Sequence, residues 1–140
     1  IARVLYFFEK HWEELLKFSR RTQHQLDQWA SRYGYKEQPM EILDHAKKGY
    51  HGGRYTCVNL TNQDTIEFRM FRGTLKYNTL IATLQLVDRI CDVAIYLSDD
   101  ELKALSWTSF VSGCQAPELV RYLKERRLYV NEPVMAEVEV

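Results

Sequence analysis

Between Thr65 and Phe71 the apolar period of this chain is two, whereas on both sides of that region it is helical, and this switch decides the architecture. Ile66, Phe68 and Met70 alternate with Glu67 and Arg69, which is the pattern of a strand with one apolar and one charged face. Just upstream, Arg54 to Leu60 (RYTCVNL) is rich in β-branched and aromatic residues and reads as a second strand. Thr61-Asn-Gln-Asp64 between them is turn chemistry. The two strands form an antiparallel hairpin.

Elsewhere the spacing is three and four. Leu5, Phe8, Trp12, Leu15 and Leu16 mark a first helix, and Ser19 to Thr22 breaks it, with Thr22 placed to cap the next. Leu26, Trp29, Ala30 and Tyr33 continue on one face, and Gly34 stops them. Pro39 opens a short helix to Lys48. Gly49 to Gly53 is a loop, and Gly49 to Arg54, with Tyr50, His51 and Tyr55, is either a mobile cover over a substrate or a plain connector. After the hairpin, Asn78 or Thr79 caps a long helix to Leu97. Its broad apolar face (Leu80, Ile81, Leu84, Val87, Cys91, Ala94) is expected to back the sheet. Ser98 to Glu101 is a capping box, Trp107, Phe110 and Val111 anchor a connection, and Pro117 opens a last helix. Tyr129-Val130 adds a short strand, and 132–140 is a loose acidic tail. The fold class is α+β: a small antiparallel hairpin packed against five or six helices, one domain over 1–140.

Charge narrows the function classes. The 19 basic and 19 acidic residues cancel, so no domain-wide field draws the chain to nucleic acid or anionic membrane. No apolar run approaches the roughly 20 residues that span a bilayer. Three cysteines without a CxxC pair suggest free thiols and a cytoplasmic setting. Four histidines without metal-site spacing argue against a His/Cys metal centre, and His11 and His24 read as surface residues.

The chemistry concentrates in Thr65 to Thr74 (TIEFRMFRGT). Glu67 and Arg69 leave one face of a strand. A carboxylate there suits a hard divalent cation, and a guanidinium suits phosphoryl or carboxylate oxygens. A solvated ion pair is the plain alternative. Arg72 and Gly73 stand where the strand ends, and Arg54 and Asn59 on the neighbouring strand are further substrate or phosphate contacts; the side on which Asn59 lies is left open by the hairpin register. Arg20 and Arg21 at a helix junction are either a phosphate contact or a solvated corner.

The stretch TIEFRMFRGTLKYNTLIATLQLVDRICDVA (65–94) resembles the amidoligase family, COOH–NH2 ligases of the glutamine synthetase and glutamate–cysteine ligase superfamily. RYTCVNL, KFSRRTQHQLDQWASRYGY and YLKERRLYVNEP are similar to it as well. The most specific element is EFRxFRGTLK followed by Asn78 and Ala82, the order of an E-x-R strand and an N-x-x-x-A helix. The resemblance implies part of a glutamine synthetase-like catalytic domain, in genes often carried on bacterial mobile elements. It implies Glu67 as a ligand of Mg2+ or Mn2+, and Arg69 on the transferred phosphoryl group. ATP would phosphorylate a carboxylate, and an amine would displace phosphate to give an amide. The superfamily's other carboxylates and its histidine come from earlier strands. Everything before Arg54 here reads as helix, so the chain is expected to be the C-terminal part of a longer domain and inactive alone. Expected partners are small-molecule or peptide acids and amines, with no nucleic acid and no membrane, and with a homo-oligomer left open. Two other readings are a noncatalytic helical interaction module using exposed aromatics of the first helix, and nucleic-acid binding through Arg20, Arg21, Arg126 and Arg127.

Overall fold

The computed structural model describes residues 1–48 and 55–129. Among them, four helices precede a small hairpin and four follow it: α1 (Ala2–Lys10), α2 (Trp12–Ser19), α3 (Gln23–Trp29), α4 (Pro39–Lys47), β1 (Val58–Asn59), β2 (Glu67–Phe68), α5 (Tyr77–Tyr96), α6 (Asp99–Ala104), α7 (Trp107–Ser112) and α8 (Pro117–Glu125). The fold class is α+β.

α1 is the hub. Val4, Leu5, Tyr6, Phe7 and Phe8 are all buried, because α4, α5 and α6 pack around it. The aromatic residues of the first helical segment are therefore core, which removes the surface on which an interaction module would rely. A helix apolar nearly all round must be enclosed. The expected single first helix is two, kinked at His11, with the bonds from His11 N–H to Phe7 O and from Leu15 N–H to His11 O (both 3.0 Å) continuing across the joint. His11 is not at the surface. It is 3% exposed, its ring 4.5 Å from that of Phe7 and 5.9 Å from that of Trp107. Burial, then the neighbouring Lys10 charge, pulls its pKa down to about 4.

Thr22 caps α3 as expected, in a reciprocal capping box with Gln25. The helix stops four residues short of Tyr33, because the backbone at Ser31 leaves it to pair with the hairpin. Ser31 N–H donates to Tyr55 O (2.9 Å) and Cys57 N–H to Ser31 O (2.8 Å), a parallel bridge between Ser31 and Thr56. Trp29, placed on the apolar face by spacing, is consequently 52% exposed, while Tyr33 turns inward with its hydroxyl 2.7 Å from Val58 O. Gly34 still occupies the left-handed region (φ +100°), where glycine costs least.

The hairpin is antiparallel, with Val58 opposite Phe68 and Asn59 opposite Glu67. Its ladder is shorter than the strands expected over 54–60 and 65–71. The chain leaves it after Arg69, whose N–H donates to Cys57 O (2.8 Å), and Arg72 N–H instead donates to Ser19 O (3.3 Å). The outgoing segment is thus tied to the α2–α3 junction rather than to β1.

α5 starts at Tyr77 behind Lys76, without a side-chain cap. Neither Asn78 nor Thr79 caps it: Asn78 donates to Glu118 O (3.2 Å) and Thr79 is buried. It packs against α8 and α1 instead of backing the sheet, burying Ala82, Leu86, Ile90, Val93 and Ala94 and leaving Leu80, Leu84 and Ile95 exposed. The Ser98–Glu101 capping box forms as expected. Tyr129 lies in no strand; Val130, the 132–140 tail and the Gly49–Gly53 loop lie outside the described residues. Among those described, no helix is long and apolar enough to cross a membrane.

Candidate functional site

At the end of β2 the fold assembles four arginines from two regions about fifty residues apart in sequence. α2 ends on Arg20 in a left-handed conformation (φ 61°), a strained choice for a residue with a Cβ. That turn sends Arg20 and Arg21 toward the outgoing strand. Arg20 Nη2 donates to Arg72 O (2.7 Å) and Arg72 N–H donates to Ser19 O, so the junction and the strand end clamp one another. Arg21 sits among them. Burial, then the charges of Arg69, Arg72 and Arg20, in that order, lower its pKa.

Glu67 and Arg69 do share one face, with Arg69 Nη1 3.6 Å from Glu67 Oε1. Arg69 Nη2 also donates to Trp29 O (3.5 Å), and its guanidinium lies 5.5 Å from the centroid of the Tyr55 ring. Asn59 is buried and on the same side of the hairpin as Glu67: its Nδ2 donates to Glu67 Oε1 (3.0 Å), while its Oδ1 accepts from Thr61 N–H (3.0 Å) and Thr61 Oγ1 (2.8 Å). Asn59 therefore orients Glu67. Among the described residues, Nε of Arg20 and Nε of Arg69 are enclosed without a hydrogen-bond acceptor. Enclosed donors that lack an acceptor cost free energy.

The arithmetic of charge follows. Four guanidinia gather at one end of the hairpin, and Glu67 pairs with Arg69 alone among them, so the patch is positive although the chain is neutral overall. Arg20 and Arg69 are each held by a backbone carbonyl, and guanidinia grip phosphate or carboxylate oxygens in bidentate fashion. Of the sites read from sequence, Glu67, Arg69, Arg72 and Asn59 come together. Gly73 is beside them, but its φ is ordinary and a Cβ there would meet nothing within 4 Å, so neither close approach nor backbone freedom calls for glycine. Arg54 lies outside the described residues. Arg20 and Arg21 prove to be part of the cluster, a contact that spacing alone leaves open. Trp29 carried no site signal in sequence, since only the early end of α3 brings the indole out, whereas Tyr55 beside Arg69 enters from sequence as a neighbour of the 49–54 loop.

For a metal ion the donor set is small. Both polar contacts of Glu67 fall on Oε1, and its side chain is 47% exposed. No group of three His, Cys, Asp or Glu able to hold a metal occurs among the described residues. One carboxylate fits a Mg2+ that arrives with phosphate oxygens, since that ion commonly takes one or two carboxylates plus substrate phosphates; it does not make a protein-only cage. Thiol chemistry is disfavoured, because burial pushes the pKa of Cys57, Cys91 and Cys114 upward. The cavity of about 460 Å³ bordered by Leu43, Leu60 and Ile66 is lined by none of the four arginines.

The α+β domain thus carries a carboxylate and a cluster of arginines on and beside a short hairpin. Residues 5–91 match the family model described as "Putative amidoligase enzyme", and the chain belongs to that family. The match contains the whole arginine cluster and stops within α5. Among curated proteins and among solved structures, none matches the chain.

Proposed function

We propose that this domain takes part in ATP-dependent ligation of a carboxylate to an amine, with the arginine cluster as its phosphate-binding element. The observation that carries the reading is the convergence of Arg20, Arg21, Arg69 and Arg72 on the strand that also bears Glu67, inside the part of the chain matched by the amidoligase family. In such a reaction an oxygen of the substrate carboxylate attacks the terminal phosphorus of ATP, and ADP leaves. The amine nitrogen then attacks the acyl carbon, the C–O bond to phosphate breaks, and the nitrogen gives up a proton to solvent. Negative charge accumulates on the phosphoryl oxygens, and preorganised cations aimed at them are the largest source of catalysis for this chemistry.

The roles divide accordingly. Arg69, fixed by Glu67 and Trp29 O, faces the transferred phosphoryl group; Arg21, Arg20 and Arg72 hold the remaining phosphates. Glu67, oriented by Asn59, would be one ligand of a Mg2+ or Mn2+ carried on the nucleotide, which when bound neutralises phosphoryl charge. With a single carboxylate here, phosphate oxygens and water would complete the coordination of that ion. The acid and amine are small molecules or peptides, and the setting is the cytoplasm, where ATP is abundant.

The test is ATP cleavage by the protein with magnesium, a carboxylate and an amine. Glu67→Gln keeps shape and removes charge, and it is expected to abolish metal-dependent cleavage. Retained turnover in that variant would sink the assignment.

A further inference from the structure

We propose that the exposed indole of Trp29 is the platform on which the base of the nucleotide stacks, which makes the site selective for a nucleoside triphosphate over a bare polyphosphate. This rests on the reading of the arginine cluster as a phosphate site and names the part of the ligand which that reading leaves unplaced.

Trp29 closes α3 and is 52% exposed, so a broad aromatic face is open to solvent beside the cluster. It is held rather than loose. Tyr55 meets it edge-on, with ring centroids 5.6 Å apart and planes at 79°, and Arg69 Nη2 donates to its carbonyl oxygen. The same Arg69 lies against the Tyr55 ring and adjoins Arg21. Arg69 thus joins two chemically different surfaces, an aromatic one on the Trp29 side and a cationic one on the side of Arg21, Arg20 and Arg72. A ligand that satisfies both has a flat ring at one end and several negative charges at the other. A nucleoside triphosphate has that form, and a purine covers more of an indole than a pyrimidine does. Stacking on one open face discriminates little among base edges, so the selectivity is for the presence of a base and for its size.

The experiment is isothermal titration of the 140-residue chain with magnesium ATP, magnesium CTP and magnesium tripolyphosphate, in wild type, Trp29→Ala and Trp29→Phe. ATP is expected to bind more tightly than CTP, and CTP more tightly than tripolyphosphate. Trp29→Ala is expected to weaken ATP by about tenfold, in the range found for removal of a stacking partner, while tripolyphosphate is unchanged. Trp29→Phe, which keeps a ring, is expected to recover part of the loss. Equal affinities for ATP and tripolyphosphate, with ATP indifferent to Trp29→Ala, would overturn the stacking platform and leave the phosphate site standing. Failure of both ATP and tripolyphosphate to bind would overturn the phosphate site and the platform with it. A loss for both ligands in Trp29→Ala would mean that Trp29 only shapes Arg69, which also overturns the proposal.

Discussion

Arg20 places a branched cationic side chain where the backbone favours glycine. A residue with a Cβ in the left-handed region costs on the order of 1 kcal/mol, and such strain persists where the surroundings or a function demand it. Arg20→Gly relieves the backbone while deleting the bond to Arg72 O. Its melting temperature is expected to stay within a few degrees of wild type while affinity for tripolyphosphate falls several-fold. Unchanged affinity would mean that the cluster does not need this member.

His11 makes a separate prediction at the same scale. Its folded pKa of about 4 lies below the ordinary 6.5, so the unfolded chain binds more protons between those values. The stability it contributes is complete above about pH 6.5 and is lost as the pH falls toward 4. By pH 5 the loss is about 2 kcal/mol, at about 1.4 kcal/mol per pKa unit. Urea denaturation at pH 7 and pH 5 measures it, and His11→Leu is expected to flatten this part of the pH profile. A wild type equally stable at both pH values would contradict the buried neutral imidazole.

Among the elements, the caps at Thr22 and Ser98 carried over from sequence to structure, whereas the cap expected at Asn78 or Thr79 did not. The Thr22 and Ser98 boxes form because both partners sit within one turn. Ser98→Ala is expected to cost about 1 kcal/mol, readable as a drop of a few degrees in melting temperature. Gly34→Ala, which forces a side chain into a φ of +100°, is expected to cost about as much. What spacing could not convey was competition between elements. α3 ends early because Ser31 finds partners in Tyr55 and Cys57; α5 turns from the hairpin and packs against α8 and α1. The strands shorten because Arg72 bonds to Ser19. Each outcome depends on residues far away in sequence, and period and propensity are blind to them.

Across the whole molecule, the same blindness explains why half of the site was legible. Glu67 and Arg69 were visible because two residues on one strand share a face. The junction of Arg20 and Arg21 with Arg69 and Arg72 is a tertiary event, and His11 was misplaced because a polar neighbourhood in sequence became an aromatic core in space. A neutral chain can therefore carry a concentrated positive site. Binding there is expected to weaken steadily between 50 mM and 500 mM salt, as screening of exposed charges requires. Salt-independent affinity would argue against a guanidinium cluster as the binding element.

The most direct measurement is the melting temperature of the 140-residue chain with and without magnesium and ATP, beside an Arg69→Ala control. Saturating binding stabilises by a few kcal/mol, which moves the transition by several degrees. The account predicts that rise in wild type and its loss in Arg69→Ala. An equal rise in both proteins, or none in wild type, would contradict the strand face as the site of nucleotide phosphate.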